Sequence, residues 1–387
     1  MESFTRDVQP QRVVFGVGAF ACLPDEVARL GVRRILLIAG RSAKPLGDAA
    51  AERLGDRIVA RCEEVRQHVP ELLAGAAGAA ARTHRADAIV TIGGGSATGL
   101  GKAVALTTGL PIIAVPTTYA GSELTEIYGI TGEQKRTGRD SRVLPKVVLY
   151  DPALTVGLSP HATGSSGFNA LAHCVEALYS PRVDPVVTLH AEEGIRVLAD
   201  ALPAAVGDPS DLAARSRALY GAYLAGTALA GGVTALHHKL CHVLGGSFGL
   251  VHGEVNAVLL PYVVAYNQPA AAAAMDCVSR ALGQPDAAQG LRALAVALAL
   301  PTSLAEIGMP ADGLDNAAEQ ALAAVGANNP RAVDVQSIRL LLGDAYAGRQ
   351  PHHHDQPTHP EGERHEYLEP YELRGQGNHP PGGAAGG

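Results

Sequence analysis

The feature that most constrains the fold is a change of secondary-structure pattern near residue 152. Between residues 13 and 151, short β-branched runs alternate with Ala-rich segments, the pattern of parallel strands joined by crossover helices. After Pro152 the strand signals fade, and Ala, Leu and Val recur at helical spacing to about Tyr346. The sequence therefore predicts an α/β, Rossmann-like N-terminal domain (residues 1–155) and an all-α C-terminal domain (156–349).

The clearest predicted strands are unbroken apolar runs at 34–38, 88–92 and 112–115, as a sheet covered on both faces requires. The intervening helices are predicted to begin near Pro45, Glu71 and Ala97. The uncharged stretch 218–236 is interpreted as a buried helix. Residues 350–387 are rich in His, Pro, Glu and Gly and have hardly any aliphatic side chains, so we predict a disordered tail without a catalytic role.

Charge and cysteine usage exclude several partners. The formal charge of −7 offers no basic surface to nucleic acid or to an anionic membrane. The five cysteines are scattered without a Cys-x-x-Cys pair, and residues 1–12 carry charges and prolines instead of the apolar core of a signal peptide. We expect a cytoplasmic protein with no nucleic-acid or membrane partner.

A glycine-rich turn, Gly93-Gly94-Gly95-Ser96, follows one apolar strand and precedes an Ala-rich helix. Glycine lets the backbone approach a pyrophosphate, and a helix N-terminus supplies N–H donors and positive potential. The turn therefore predicts a phosphate-containing ligand. Alternatively, it only connects strand to helix, with Ser96 as the helix cap.

A second polar loop, PTTYAGSE at residues 116–123, follows the next strand. Ligands of open α/β sheets bind at the carboxyl edge of the strands, so the hydroxyls of Thr117, Thr118 and Ser122 are candidates for holding a dinucleotide. The turn Gly40-Arg41-Ser42 lacks the acid that often holds the adenosine ribose, and Arg41 suits a 2′-phosphate. The predicted cofactor is NADH or NADPH.

The helical half contains two groups of imidazoles. Asn169 and His173 are four residues apart and share one helix face. His238 and His242 have the same spacing, and His252 follows a glycine-rich turn that can bring it beside them. Polar rings among Ala- and Leu-rich helices are costly without a purpose. They could hold a divalent metal or form a metal-free acid–base site.

The order of these motifs resembles the iron-containing (group III) alcohol dehydrogenase family over about residues 10–348. The strings PTTYAGSE, TGRDSRVLPKVVLYDP, SGFNALAHCVEALYSP and ALHHKLCHVLGG are most similar to the branch that reduces maleylacetate, and chlorinated relatives, to 3-oxoadipate in bacterial breakdown of aromatic compounds. The resemblance implies a two-domain subunit of dehydroquinate synthase-like architecture, a nicotinamide cofactor and a homodimer.

Metal-binding members of that family use one Asp and three His, and the matching positions here are Asn169, His173, His238 and His252. An amide is a poor ligand for a transition metal, so no catalytic metal is expected, although three imidazoles could still bind Zn²⁺.

In the implied reaction, hydride reaches C2 of maleylacetate and charge develops on its ketone oxygen. His242 or His252 is expected to stabilise this enolate, and one of them or a water to protonate C3. The candidate catalytic residues are His173, His238, Lys239, His242 and His252.

The substrate is a small dicarboxylate, so cationic groups are expected to face it. The candidate substrate-binding residues are Tyr119, Asn169 and Lys239, with Lys239 at a carboxylate. A basic run at residues 135–146 could add positive potential to the cleft. The alternatives are a metal-dependent alcohol dehydrogenase, a lyase like dehydroquinate synthase, and a nucleotide-binding protein without turnover.

Overall fold

The first half of the chain forms a parallel sheet. A computed structural model describes residues 3–132 and 135–352. Its strands are β1 (Arg12–Phe15), β2 (Ile35–Ala39), β3 (Ile58–Cys62), β4 (Ala88–Gly93), β5 (Ile112–Pro116), β6 (Ile127–Thr131), β7 (Lys135–Arg139) and β8 (Val147–Tyr150). Six of them pair in the parallel order β1-β8-β5-β4-β2-β3, while β6 and β7 form an antiparallel hairpin. The three predicted strands are confirmed to within one residue at each end.

Helices cover both faces of this sheet. They are α1 (Leu23–Arg29), α2 (Lys44–Leu54), α3 (Glu71–Thr83) and α4 (Gly95–Thr108). Leu37 packs with α1 and α2, whereas its neighbour Leu36 points to the opposite face and packs with α3 and α4. This alternation explains why the strands are apolar at every position.

The second half is helical, as predicted. Its helices are α5 (Pro160–Leu178), α6 (Pro185–Gly207), α7 (Leu212–Gly231), α8 (Leu236–Phe248), α9 (His252–Asn267), α10 (Ala272–Leu282), α11 (Ala287–Ala297), α12 (Leu314–Val325) and α13 (Val335–Ala347). Side-chain oxygens of Ser159, Asp184 and Asp211 cap the first three of them.

One apolar core joins the two halves. Ala114 and Val148 of the sheet belong to the same buried cluster as Phe168 and Leu171 of α5. Helix α5 is therefore held against the carboxyl edge of the strands, where the predicted ligand loops lie. The described residues pack as one unit, and a domain boundary at residue 155 stays a prediction.

The predicted tail lies outside the described residues from position 353 onward. Among the described helices, none is by itself long and apolar enough to cross a membrane. The α7–α8 pair passes that test only jointly, on length and composition, and it is bent by 102°. The stretch 218–236 covers most of α7, and its Ala218, Leu219 and Ala222 are fully buried.

Candidate active site

A cavity of about 960 Å³ lies between the carboxyl edge of the sheet and helices α5, α8 and α9. At one end it is lined by the turn after β2 and by the glycine-rich turn after β4. At the other end it is lined by Asn169, His242 and His252. The two groups of residues singled out in the sequence therefore face one space.

The glycine-rich turn is shaped for close approach of a ligand. Gly93 has φ 145°, and Gly94, which has no side chain, is the N-cap residue of α4. A Cβ atom on Gly94 would lie 2.9 Å from Thr118 Cγ2, and one on Gly95 would lie 3.3 Å from Ala120 Cβ. The bare backbone and the helix N-terminus fit the diphosphate of a dinucleotide.

The predicted cofactor residues divide into two groups. Those that line the cavity are Gly40, Arg41, Gly93, Gly94, Gly95, Ser96 and Thr118. Thr117 and Ser122 do not line it, contrary to expectation. The Thr117 N–H donates to the carbonyl of Gly93 at 3.0 Å, and both oxygens of Ser122 face Lys102. These residues support the loop instead of reaching its ligand side.

Lys102 of α4 was missed in the sequence, although a single cation in an apolar helix is a readable signal. Its ammonium is fully buried and donates to the carbonyls of Ser122, Thr125 and Ile127 at 2.6–2.8 Å. Two hydroxyls lie at 3.0 and 3.3 Å. Burial lowers the pKa of Lys102 to about 7. The residue fixes the chain that follows the second ligand loop.

Tyr119 was expected to contact substrate, and the structure places it elsewhere. Its side chain is fully buried, and its hydroxyl lies 3.2 Å from Arg215 Nη1 and 3.4 Å from Thr155 Oγ1. Arg215, itself buried, also donates to Thr163 Oγ1 at 2.7 Å. These contacts show that the Tyr119 side chain points into the helical core. Arg215 and Thr155 supply the polar partners that a buried phenol hydroxyl requires.

The imidazoles converge from three helices. The rings of His173 on α5 and His238 on α8 are stacked with centroids 4.7 Å apart. Those of His242 on α8 and His252 at the start of α9 are stacked at 5.8 Å. Gly249, with φ 70°, ends α8 and lets the chain reverse so that α9 begins beside it.

A buried carboxylate orients His238. Glu176 Oε2 lies 2.6 Å from His238 Nδ1, and Oε1 accepts the backbone N–H of the same residue at 3.3 Å. Burial raises the pKa of Glu176, but the positive potential and hydrogen bond of His238 outweigh it and hold this pKa below its ordinary value. Glu176 is the last residue of the N-A-L-x-H-x-x-E string, so its spacing was visible but its role was not.

The other buried rings are kept neutral. Burial, reinforced by the neighbouring histidines, holds the pKa of His173 well below its ordinary value. His237 contacts Asn256 Oδ1 at 2.7 Å, and burial lowers its pKa to about 4. The rings of His242 and His252 are less buried than these, and both line the cavity.

Lys239 and three arginines of the basic run were predicted to face the substrate, but they do not line the cavity. Lys239 is half-buried on α8 but does not line it. Of the basic run, Arg139 donates to the carbonyl of Gly232 at 2.6 Å, Arg136 pairs with Glu71, and Arg142 pairs with Asp140. These three guanidinium groups are therefore bound by acceptors of the protein, and none of them lines the cavity.

The donor set does not fit an iron site. Asn169 presents a neutral amide, a poor ligand for a transition metal, and among the described side chains no group of three or more His, Cys, Asp or Glu could hold a metal ion. Within the same range, Asn169 Oδ1, His173 Nδ1 and His238 Nε2 are buried without a hydrogen-bond partner. They form a polar floor at the end of the cavity that Asn169 lines.

Two family profiles match the chain. "Iron-containing alcohol dehydrogenase" matches residues 10–152, and "Fe-containing alcohol dehydrogenase family, C-terminal" matches residues 163–346. Together they cover both the sheet and the helices of the site.

Three of the similar proteins are maleylacetate reductases by name. The maleylacetate reductase of Burkholderia cepacia is 47% identical over 91% of this chain and all of its own length. Maleylacetate reductase 2 of Cupriavidus pinatubonensis is 48% identical over 91% of this chain and 99% of its own. The crystal structure of maleylacetate reductase from a Rhizobium species is 42% identical, with a TM-score of 0.86 over 91% of this chain and 100% of its own.

Proposed function

The chain belongs to the iron-containing alcohol dehydrogenase family, and we propose that it acts within that family as a maleylacetate reductase. It reduces the C2=C3 double bond of maleylacetate to give 3-oxoadipate, with a reduced nicotinamide as the second substrate. The observation that carries this proposal is the identity of 43–48% to maleylacetate reductases along about nine-tenths of the chain.

The site suits an activated double bond better than a simple ketone. An alcohol dehydrogenase needs a Lewis acid to polarise its carbonyl, whereas a double bond conjugated to a ketone and a carboxylate already accepts hydride at the carbon β to the ketone. Asn169 is an amide at the position where the resemblance predicts an aspartate ligand in metal-binding members. We infer that turnover proceeds without a catalytic metal.

Separate residues bind the cofactor and transfer the proton in the proposed reaction. The bound reduced nicotinamide supplies hydride to C2. The backbone of Gly93, Gly94 and Gly95 holds the cofactor diphosphate, with Arg41 at the adenosine end of the cavity. His242 or His252 donates a hydrogen bond to the ketone oxygen as it becomes an enolate, and one of them or a water delivers a proton to C3.

His173 and His238 act from behind that pair. The two rings stack on each other, and the carboxylate of Glu176 holds His238 in place, so that together they support His242 and His252. In this role they are positioning residues. Whether the enzyme also accepts chlorinated maleylacetates then depends on the side chains that line the cavity near His242.

The cofactor end carries both signs of charge. Arg41 favours a 2′-phosphate, whereas Glu63 and Glu64 also line the cavity and can accept the ribose hydroxyls of NADH. The proposal therefore includes both NADH and NADPH. A homodimer and a cytoplasmic location, expected from the resemblance and the sequence, remain part of the proposal.

The test is the loss of reduced-nicotinamide absorbance on adding fresh maleylacetate to protein dialysed against a strong chelator. We expect rapid oxidation without added metal. Activity that returns only with Fe²⁺ or Zn²⁺ would contradict the metal-free mechanism and favour the family's metal-dependent chemistry. No oxidation under either condition would refute the substrate.

A further inference from the structure

Asn256 is a fully buried amide in the apolar helix α9. Asparagine is an unfavourable residue inside a helix, because its side chain competes with the backbone for hydrogen bonds. Burial adds a second cost unless both the oxygen and the amino group of the amide find partners. The contribution of Asn256 must therefore lie in the hydrogen bonds that it makes.

The amino group of Asn256 holds the backbone of His252. Its Nδ2 donates to the carbonyl of His252 at 2.7 Å. Helical side chains tilt towards the N-terminus of their helix, so this amide lies over the carbonyl one turn before it. His252 is the first residue of α9, and Val251, the N-cap residue, provides no side-chain cap. The Asn256 bond therefore fixes the end of the helix at which His252 lines the cavity.

The oxygen of the same amide is bound by the preceding helix. Asn256 Oδ1 lies 2.7 Å from Nε2 of His237, the second residue of α8. Because an amide oxygen only accepts, Nε2 of His237 must carry the ring proton. Nδ1 of that ring is buried without a hydrogen-bond partner among the described residues. His237 is thus a neutral donor, in agreement with the pKa of about 4 that burial gives it.

His237 is itself held by the imidazole cluster. Its ring meets that of His238 edge-on, with centroids 5.1 Å apart and an interplanar angle of 87°. His238 is bound in turn by the carboxylate of Glu176 on α5. A continuous series of contacts therefore runs from α5 through α8 to the first residue of α9, and Asn256 is the link between the last two helices.

We propose that Asn256 is a positioning residue of the active site, which together with His237 sets where the backbone of His252 lies in the cavity. The inference rests on the proposed function for the role of His252 as a donor to the substrate ketone. A displacement of about 1 Å in a catalytic site can cost about 10²-fold in rate, so a bond to the backbone of His252 has kinetic consequences.

Asn256→Leu removes both hydrogen bonds and keeps a side chain of the same branched shape. We expect kcat for maleylacetate, per molecule that binds NADH, to fall about tenfold or more. The KM for NADH should stay within about twofold, since the diphosphate-binding turn lies at the other end of the cavity. The KM for maleylacetate should change less than kcat, because the bond to the ketone oxygen strengthens only as the enolate forms.

Asn267→Leu is the matched control. Asn267 is the last residue of the same helix, is equally buried, and exchanges hydrogen bonds with Asn329 at 2.8 and 3.0 Å. It lies about 16 Å from Asn256 along the helix axis and does not line the cavity. Its substitution should lower the melting temperature similarly and leave kcat unchanged. Equal losses of kcat in the two variants, or no loss in Asn256→Leu, would overturn the assignment.

His237 provides a second pair of variants, which also serves if Asn256→Leu does not fold. His237→Gln keeps an N–H donor for the amide oxygen of Asn256, whereas His237→Leu has none. The Gln variant should retain most of the wild-type kcat, and the Leu variant should lose it with little change in the KM for NADH. Equal kcat values in the two variants would overturn the role given to this hydrogen bond.

A structural measurement separates this inference from the proposed function. If the wild type oxidises no NADH with maleylacetate, the proposed function fails, but crystal structures of Asn256→Leu and His237→Leu still test the placement of His252. We expect its Cα atom to move by about 0.5 Å or more relative to α5, the tolerance within which a catalytic group must be held. An unmoved His252 in both variants would overturn the inference whatever the substrate.

Discussion

Replacing Glu176 by Gln tests how the imidazole cluster is held. The carboxylate receives two hydrogen bonds from one residue, the Nδ1 of His238 at 2.6 Å and its backbone N–H at 3.3 Å. The two side chains are only 2% and 4% exposed. Because α8 begins at Leu236 after Ala235, which has no capping side chain, Glu176 also serves as the cap of this helix.

The magnitude follows from the donor count. Glutamine has one accepting oxygen, and the site presents two donors. Its oxygen can satisfy the backbone N–H only if its NH₂ group donates to His238 Nδ1, which forces the ring proton onto Nε2. Exchanging a charge-assisted hydrogen bond for a neutral one costs about 1–2 kcal/mol. Glu176→Ala, which leaves buried groups unpaired, should cost about 3–5 kcal/mol.

The assay combines denaturant unfolding, kcat and the tautomer of His238 from ¹⁵N chemical shifts. We expect Glu176→Gln to fold, to carry the His238 proton on Nε2, and to lose up to about 10²-fold in kcat, the loss that a displacement of about 1 Å in a catalytic site can cause. The pKa of Glu176 is lowered in the folded state, so its stabilisation is present above the unfolded value of about 4.3 and is lost as the pH falls through the folded pKa. The stability difference between wild type and Gln variant should therefore shrink in acid.

Glu254→Gln provides the matched control, since it removes the carboxylate of a Glu–His pair that is 21% and 49% exposed. It should change the free energy of unfolding by less than about 1 kcal/mol. A Glu176→Gln variant with wild-type kcat, or with the His238 proton still on Nδ1, would refute the argument that this carboxylate sets the state of the ring.

Three further predictions address the cofactor, the loop and the metal positions. Arg41→Ala should raise the KM for NADPH more than that for NADH, because only the former has a 2′-phosphate for the guanidinium; equal changes would contradict this. Lys102→Met should destabilise the protein by about 1–3 kcal/mol for each carbonyl left without a donor, measured by urea unfolding, and unchanged stability would show that those carbonyls find other partners. Asn169→Asp should raise the affinity for Zn²⁺, measured by calorimetry, since a carboxylate replaces an amide next to three imidazoles. An unchanged affinity would contradict this and show that the arrangement of the imidazoles, and not the amide, prevents metal binding.

The sheet and the glycine-rich turn could be predicted because their signals are local. An apolar run such as 88–92 has few alternatives to a buried strand, and the glycines that follow it define the turn. The pairing of His238 with His242 follows equally from helical spacing. That the 63–68 loop lines the cavity could not be predicted. Its position depends on β3 lying next to β2, with Ile38 beside Cys62, and the pattern of a single segment does not determine the strand order.

The loop after β5 illustrates why polar residues in a recognised motif were assigned the wrong partners. Thr118 and Ala120 reach the cavity, while Tyr119 bonds inward to Arg215. Farther along, Glu123 accepts a hydrogen bond from the hydroxyl of Tyr150 at 2.5 Å. In an irregular segment the side chains have no fixed period, so composition identifies the polar groups but not the direction in which each one points.

The inward residues of that loop matter for catalysis all the same. A segment in contact with a ligand must keep its geometry within a fraction of an ångström, and a loop supplies few backbone hydrogen bonds of its own. Here the buried ammonium of Lys102 binds the carbonyls that follow, and Tyr119 anchors the middle of the loop to the helical half. Polar side chains that do not touch the cofactor therefore hold Thr118 in place. Its Cγ2 lies 2.9 Å from the position of a Cβ atom on Gly94, so a side chain at Gly94 would displace Thr118.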